Sequence, residues 1–125
     1  ININVNKPTS DIFKEYINSS MLLLTSIYEP FGLVIPEAMS CGIPVVAFDC
    51  PYGPADIIKD GEDGFLINSM DVNLYVKRVS ELVSNYSVRK DMGNKALISA
   101  QKYTPEQIMP KWIDFFNNLV VGKRP

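Results

Sequence analysis

The chain has 125 residues, 46% of them hydrophobic and 21% charged, with 12 basic against 14 acidic side chains for a net charge of −2. That length allows one domain with a real core, and the composition is that of an ordinary soluble globular protein. No basic cluster is longer than pairs such as Lys77-Arg78 and Arg89-Lys90, which argues against nucleic acid, and no apolar run approaches the ~20 residues of a membrane span.

Ile1 to Val5 alternates apolar and polar residues and predicts a half-buried or edge strand. Asn6 to Ser10 is loop chemistry, with Thr9 or Ser10 available to cap a helix that puts Ile12, Phe13, Tyr16 and Ile17 on one side. Asn18-Ser19-Ser20 ends it. Met21 to Leu24 is apolar without alternation, as expected of a central parallel strand covered on both faces. A helix follows over Leu33 to Ser40 and stops at Cys41-Gly42, where Gly42 suits the left-handed position after the last turn. Pro36 is tolerable only near the start of that helix, where the N–H it lacks would have no partner. Pro44 to Phe48 predicts the second buried strand. Gly53-Pro54 opens a short helix, Ala55 to Lys59, and Phe65 to Ile67 predicts a third strand after turns at Asp60-Gly61 and Asp63-Gly64.

Three helical segments complete the chain. Tyr75, Val79, Leu82, Val83 and Tyr86 mark the first face, and Val88, Met92, Ala96, Ala100 and Tyr103 the second. The third opens on a capping box, with Thr104 as cap, Pro105 in the first turn and Gln107 three residues on. It carries Ile108, Trp112, Phe115, Phe116 and Leu119, an aromatic face read as core before any sugar-stacking platform. The tail from Gly122 to Pro125 is expected to fray. Strands alternating with helices predict an α/β fold, a parallel Rossmann-like sheet flanked by helices. Ligands of such sheets bind beyond the carboxyl ends of the strands. There the loop after Leu24 and the loop Asp49 to Pro54 should be neighbours. The chain contains no histidine, and Cys41 and Cys50 lack ligand partners; a zinc site is not expected, and both thiols read as reduced and buried. The chain opens on Ile1 with no secretory signal, so the sequence ahead of it stays open.

The chemistry concentrates in Thr25 to Met39. Two carboxylates, Glu29 and Glu37, flank this turn with seven residues between them. Phe31, Gly32 and Leu33 lie at the head of the helix, where backbone N–H groups without intrahelical partners and the macrodipole favour an anion. Gly32 allows close approach of a ligand to the backbone. Phosphate on main-chain amides and hydroxyls on two carboxylates describe a nucleotide-sugar. Each residue also has a plainer reading: Glu29 as a solvated turn residue, Glu37 as a dipole partner, Gly32 as a turn glycine, Phe31 as core. Asp49 and Gly53-Pro54 either touch the ligand or only shape the rim.

The run Ser26-Ile27-Tyr28-Glu29-Pro30-Phe31-Gly32-Leu33, then Pro36-Glu37-Ala38-Met39-Ser40-Cys41-Gly42-Ile43-Pro44-Val45-Val46-Ala47, resembles the C-terminal nucleotide-binding domain of retaining glycosyltransferases of family 4, which have the two-domain GT-B fold. Asp49 to Ile58, with Asp60-Gly61, Gly64 and Phe65 to Ile67, is similar to the stretch that follows in that family. The resemblance implies that Glu37 accepts from both ribose hydroxyls and that Glu29 holds donor-sugar hydroxyls near the reacting carbon. It implies that the amides of Phe31, Gly32 and Leu33 bind diphosphate or sugar, that the base lies near Val5-Asn6-Lys7, and that no metal ion is required. It implies a donor such as a UDP-sugar carrying a hexose or N-acetylhexosamine, a glycan or lipid-linked acceptor, a role in polysaccharide biosynthesis, and a cytoplasmic location with peripheral contact at the inner membrane face.

Two β/α units usual in that family ahead of the region matching Ile1, with the Arg and Lys they supply to the phosphates, are not in this chain. Nor is the acceptor domain. Residues 1–125 therefore read as one truncated donor-binding module with a sheet edge open to re-pairing or self-association. The alternatives are a non-catalytic nucleotide- or partner-binding module of the same fold, and a phosphorylase or epimerase built on it.

Overall fold

The computed structural model describes residues 2–68, 71–120 and 122. Its centre is β2 (Val45–Asp49), which lies between β1 (Leu22–Leu24) and β3 (Gly64–Asn68) in a parallel sheet of order β1-β2-β3. Leu22 is in register with Val45, and Val45 with Gly64. Successive side chains of β2 enter opposite layers, as strand geometry demands. Val45 and Ala47 join Ile35, Ala38, Met39, Ile57, Ala96 and others on one face. Val46 and Phe48 join Phe65, Ile67, Tyr75, Leu82 and Met92 on the other. The expected Rossmann-like α/β arrangement is present.

On the first face lie α1 (Ile12–Ile17), α2 (Val34–Ser40), α3 (Pro54–Ile57) and α5 (Tyr86–Ala100), while α4 (Val72–Ser84) packs its Tyr75 and Leu82 into the second. A 3₁₀ turn, Gln101–Tyr103, leads into α6 (Pro105–Val120). Where α2 ends, Gly42 has φ +71 as expected. A Cβ at Gly93 of α5 would lie 2.2 Å from the Gly42 carbonyl oxygen, so α5 crosses the end of α2 at backbone contact. Pro36 is the third residue of α2 and removes no intrahelical bond.

Several expectations need correction. Residues 2–9 form no strand, and Ile3 and Val5 are exposed; Ile1 lies outside the described residues. Alternation alone cannot hold a strand whose backbone groups find no partner. β1 is a margin of the sheet rather than its centre, and Leu23 is 47% exposed. The α1 cap is Asp11, whose carboxylate accepts from the Lys14 N–H at 3.3 Å, while Thr9 Oγ1 accepts from the Asp11 N–H. Ile17 faces outward. Helix α3 stops at Ile57 because Ile58 turns extended and the Lys59 N–H donates to Asp63 Oδ1 at 2.8 Å. Asp63 is fully buried, which its place in a turn signal did not suggest.

Val83 and Tyr86 are exposed, since Asn85 ends α4 and caps α5 by accepting from the Val88 N–H. Cys50 is buried but Cys41 only half so; both are free thiols. In α6 no described side chain is buried, and Trp112 stacks on Phe116 at 5.7 Å with both rings about half exposed. The aromatic face is therefore not core among the described residues.

Candidate functional site

Two loops leave the carboxyl ends of β1 and β2 and meet on one rim. Gly53, at φ +77, comes so near residue 31 that a Cβ there would lie 2.3 Å from the Phe31 carbonyl oxygen. Tyr28 of one loop and Tyr52 of the other set their rings edge to face at 6.4 Å. The juxtaposition expected from topology is thus made by backbone contact, and Gly53 is the residue that permits it. Asp49 is exposed at the end of β2.

Between Glu29 and α2 the chain turns at Gly32, which has φ +82. A Cβ on Gly32 would lie 3.1 Å from Ile35 Cδ1 and 3.9 Å from Glu29 Cβ, so this glycine sets the angle at which the Glu29 loop enters the helix. The Gly32 carbonyl accepts from the Ile35 N–H at 2.9 Å and that of Leu33 from the Glu37 N–H at 3.2 Å. No side chain caps α2. Among the described residues none accepts from the N–H groups of Phe31, Gly32, Leu33 or Val34, the groups that a helix head leaves open. Phe31 and Leu33 are exposed, and Phe31 meets the Tyr103 ring at 5.8 Å.

Both carboxylates are half-buried, and each is held on one oxygen by a hydroxyl of the chain. Ser26 Oγ donates to Glu29 Oε1 at 2.7 Å. The Tyr16 hydroxyl, from α1, donates to Glu37 Oε2 at 3.2 Å. Burial first, then the neighbouring Glu37 charge, their hydrogen bond and Cys41, push the Tyr16 phenol up to about 12, so it remains a donor through the neutral range. Beside Glu37 opens a cleft of about 490 Å³ whose walls include Phe13, Phe31, Leu33, Pro36 and Tyr103. Three of the five expected site residues, Glu37, Phe31 and Leu33, line this cleft; Glu29 and Gly32 do not. Val5, Asn6 and Lys7 are exposed in a stretch without regular structure.

The sequence pattern assigns no site role to Ser26 or Tyr16. Ser26 stands three residues before the carboxylate it serves, a local hydroxyl pattern that was readable. Tyr16 is 21 positions from Glu37 and had no local signal. Among the described residues no group of three or more His, Cys, Asp or Glu is placed to hold a metal ion, and no helix is long and apolar enough to cross a membrane.

The chain that carries this rim is similar to known proteins in sequence and in fold. Residues 2–98 match the family described as glycosyl transferases group 1, and the chain belongs to that family. The amylovoran biosynthesis glycosyltransferase AmsD of Erwinia amylovora is 34% identical over 110 residues, covering 88% of this chain and 31% of that protein. The poly(ribitol-phosphate) alpha-N-acetylglucosaminyltransferase of Staphylococcus aureus (strain COL) is 39% identical over 99 residues, 78% of this chain and 20% of its own length. The chain thus spans less than a third of these two relatives. The crystal structure of a S. aureus TarM mutant in complex with fondaparinux, alpha-GlcNAc-glycerol and UDP superposes with a TM-score of 0.81 at 37% identity, over 87% of this chain and 22% of that one. The fold is accordingly a partial, Rossmann-like half of the GT-B architecture.

Proposed function

We propose that the protein moves a hexose or N-acetylhexosamine from a nucleotide-diphosphate sugar to a glycan or lipid-linked acceptor with retention at the anomeric carbon, and that residues 1–125 are a single domain that binds the donor. The observation that carries this reading is the half-buried Glu37 carboxylate, tethered on one oxygen by Tyr16 and opening beside a cleft at the head of α2.

In this reading Glu37 accepts hydrogen bonds from both ribose hydroxyls. A carboxylate offers about four acceptor positions, so one oxygen can serve Tyr16 and still leave room for a diol. The open amides of Phe31, Gly32 and Leu33 take the diphosphate or sugar oxygens, with the helix dipole favouring their charge. These amides and the carboxylates do the binding; a divalent ion has no part in the proposed scheme. Glu29, oriented by Ser26, holds donor-sugar hydroxyls. Its negative charge stabilises the positive charge that develops at the anomeric carbon as the leaving diphosphate departs. UDP in the TarM complex supports a uridine donor. The alpha product in the S. aureus relative's name is what retention yields from an alpha-linked donor. The acceptor is assigned to parts of a longer protein, because the chain covers so little of its relatives' length. In this reading the protein acts in the cytoplasm, with contact at the inner membrane face where the acceptor is lipid-linked.

Calorimetric titration with UDP, GDP and ADP tests the reading. Glu37→Ala should weaken the preferred diphosphate roughly 10- to 100-fold, the loss expected when hydrogen bonds to a charged acceptor are removed. Unchanged affinity in that variant would overturn the ribose assignment.

A further inference from the structure

Tyr16 is 6% exposed and belongs to the core cluster that also holds Ile35 and Met39. A phenylalanine would fill the same space. What the hydroxyl adds is one bond, to Glu37 Oε2, reaching across from α1 to the first turn of α2. No described residue donates to Glu37 Oε1. The adjoining wall is continuous with this bond: Phe13, whose ring meets Tyr16 edge to face at 6.2 Å, lines the same cleft as Glu37.

A free glutamate on a helix surface samples several rotamers, and ordering it on binding costs side-chain entropy. A donor fixed in the core removes most of that cost beforehand. From this we infer that Tyr16 is a positioning residue for the donor nucleotide: its hydroxyl orients the Glu37 carboxylate so that the remaining acceptor positions face the ribose diol. This inference rests on the donor-binding reading above. It gives α1 a task that neither its exposed length nor its sequence pattern announces. Of the polar groups near the bond, Glu37 on α2 and Cys41 just beyond its end are those that act on the Tyr16 hydroxyl.

Binding of UDP and of 2′,3′-dideoxy-UDP, which lacks the diol, separates the possibilities. In the unsubstituted protein UDP should bind at least tenfold more tightly than the dideoxy nucleotide. Tyr16→Phe should narrow that gap several-fold by weakening UDP alone, with the thermal midpoint kept near its original value. In a Glu37→Ala background, Tyr16→Phe should have no further effect on UDP, because the group it orients is gone. Equal weakening of both nucleotides, or an additive loss in the double variant, would show a general packing role and overturn the inference. Full UDP discrimination in Tyr16→Phe would overturn it too, while leaving Glu37 in place. If Glu37→Ala itself keeps the preference for the diol, or if UDP does not bind at millimolar concentration, the donor reading fails and the Tyr16 role fails with it.

Discussion

Glu29 and Glu37 are chemically alike but stand in different settings. Glu37 is on a helix, held from the core by Tyr16 and open to a cleft; Glu29 is on a loop and is held by Ser26 from the same loop. The proposed roles differ as well: ground-state binding for Glu37, and for Glu29 a charge that matters as the reaction proceeds. In the proposed transferase, Glu29→Ala should therefore lower kcat well beyond its effect on KM or on nucleotide affinity, a split read directly from steady-state kinetics. An equal loss in both would remove Glu29 from the transition state. The glutamates and their glycine were legible because Glu-x₇-Glu around Phe31-Gly32 is written consecutively in the chain. Tyr16 was not, because a contact between α1 and α2 depends on how two helices lie side by side.

At the scale of elements, the local rules worked best where the chain's own neighbours decide the outcome. Pro36 near a helix head, Gly42 after a helix end and Pro105 following Thr104 each act within one turn, and each stands where expected. The rules failed where burial depends on distant partners. The apolar faces of α1 and α6 follow the helical period, yet Ile17, Trp112 and Phe116 are exposed. Periodicity reports which side of a helix is apolar, not whether anything covers it. Stability should follow the coverage. Gly93→Ala, at the crossing where a Cβ would meet the Gly42 carbonyl, should destabilise the fold by about 2 kcal/mol or more. Trp112→Ala, despite its greater loss of volume, should cost the chain less than about 1 kcal/mol, since its ring is half exposed. Denaturant titration of the two variants gives the comparison, and a larger loss for Trp112→Ala would contradict the exposed placement of α6.

For the whole molecule, the sheet divides two layers, and each contains one buried phenol. Tyr16 lies on the α2 side; Tyr75 lies on the α4 side and donates to the Val46 carbonyl at 2.9 Å. Burial pushes both hydroxyls up to about 12 from an ordinary 10.0. The folded state therefore keeps these protons at pH values where the unfolded chain has released them. The resulting stabilisation is whole below about pH 10 and disappears as pH rises through about 12. Thermal melts between those limits should show a steep fall in midpoint, less steep in Tyr75→Phe. A flat profile would contradict the burial of both groups.

Residue order alone determined the succession of strands and helices from α1 onward, the parallel α/β class and the placing of Glu29 and Glu37 on either side of a glycine turn, because periodicity, capping and turn preference act over a few neighbouring residues. Tertiary structure decided the rest: that β1 is a margin, that residues 2–9 are not a strand, that Gly53 presses on the Phe31 backbone, and that Tyr16 grips Glu37. Each of these depends on which surfaces meet across gaps in sequence, and a linear pattern carries no record of what will stand opposite it.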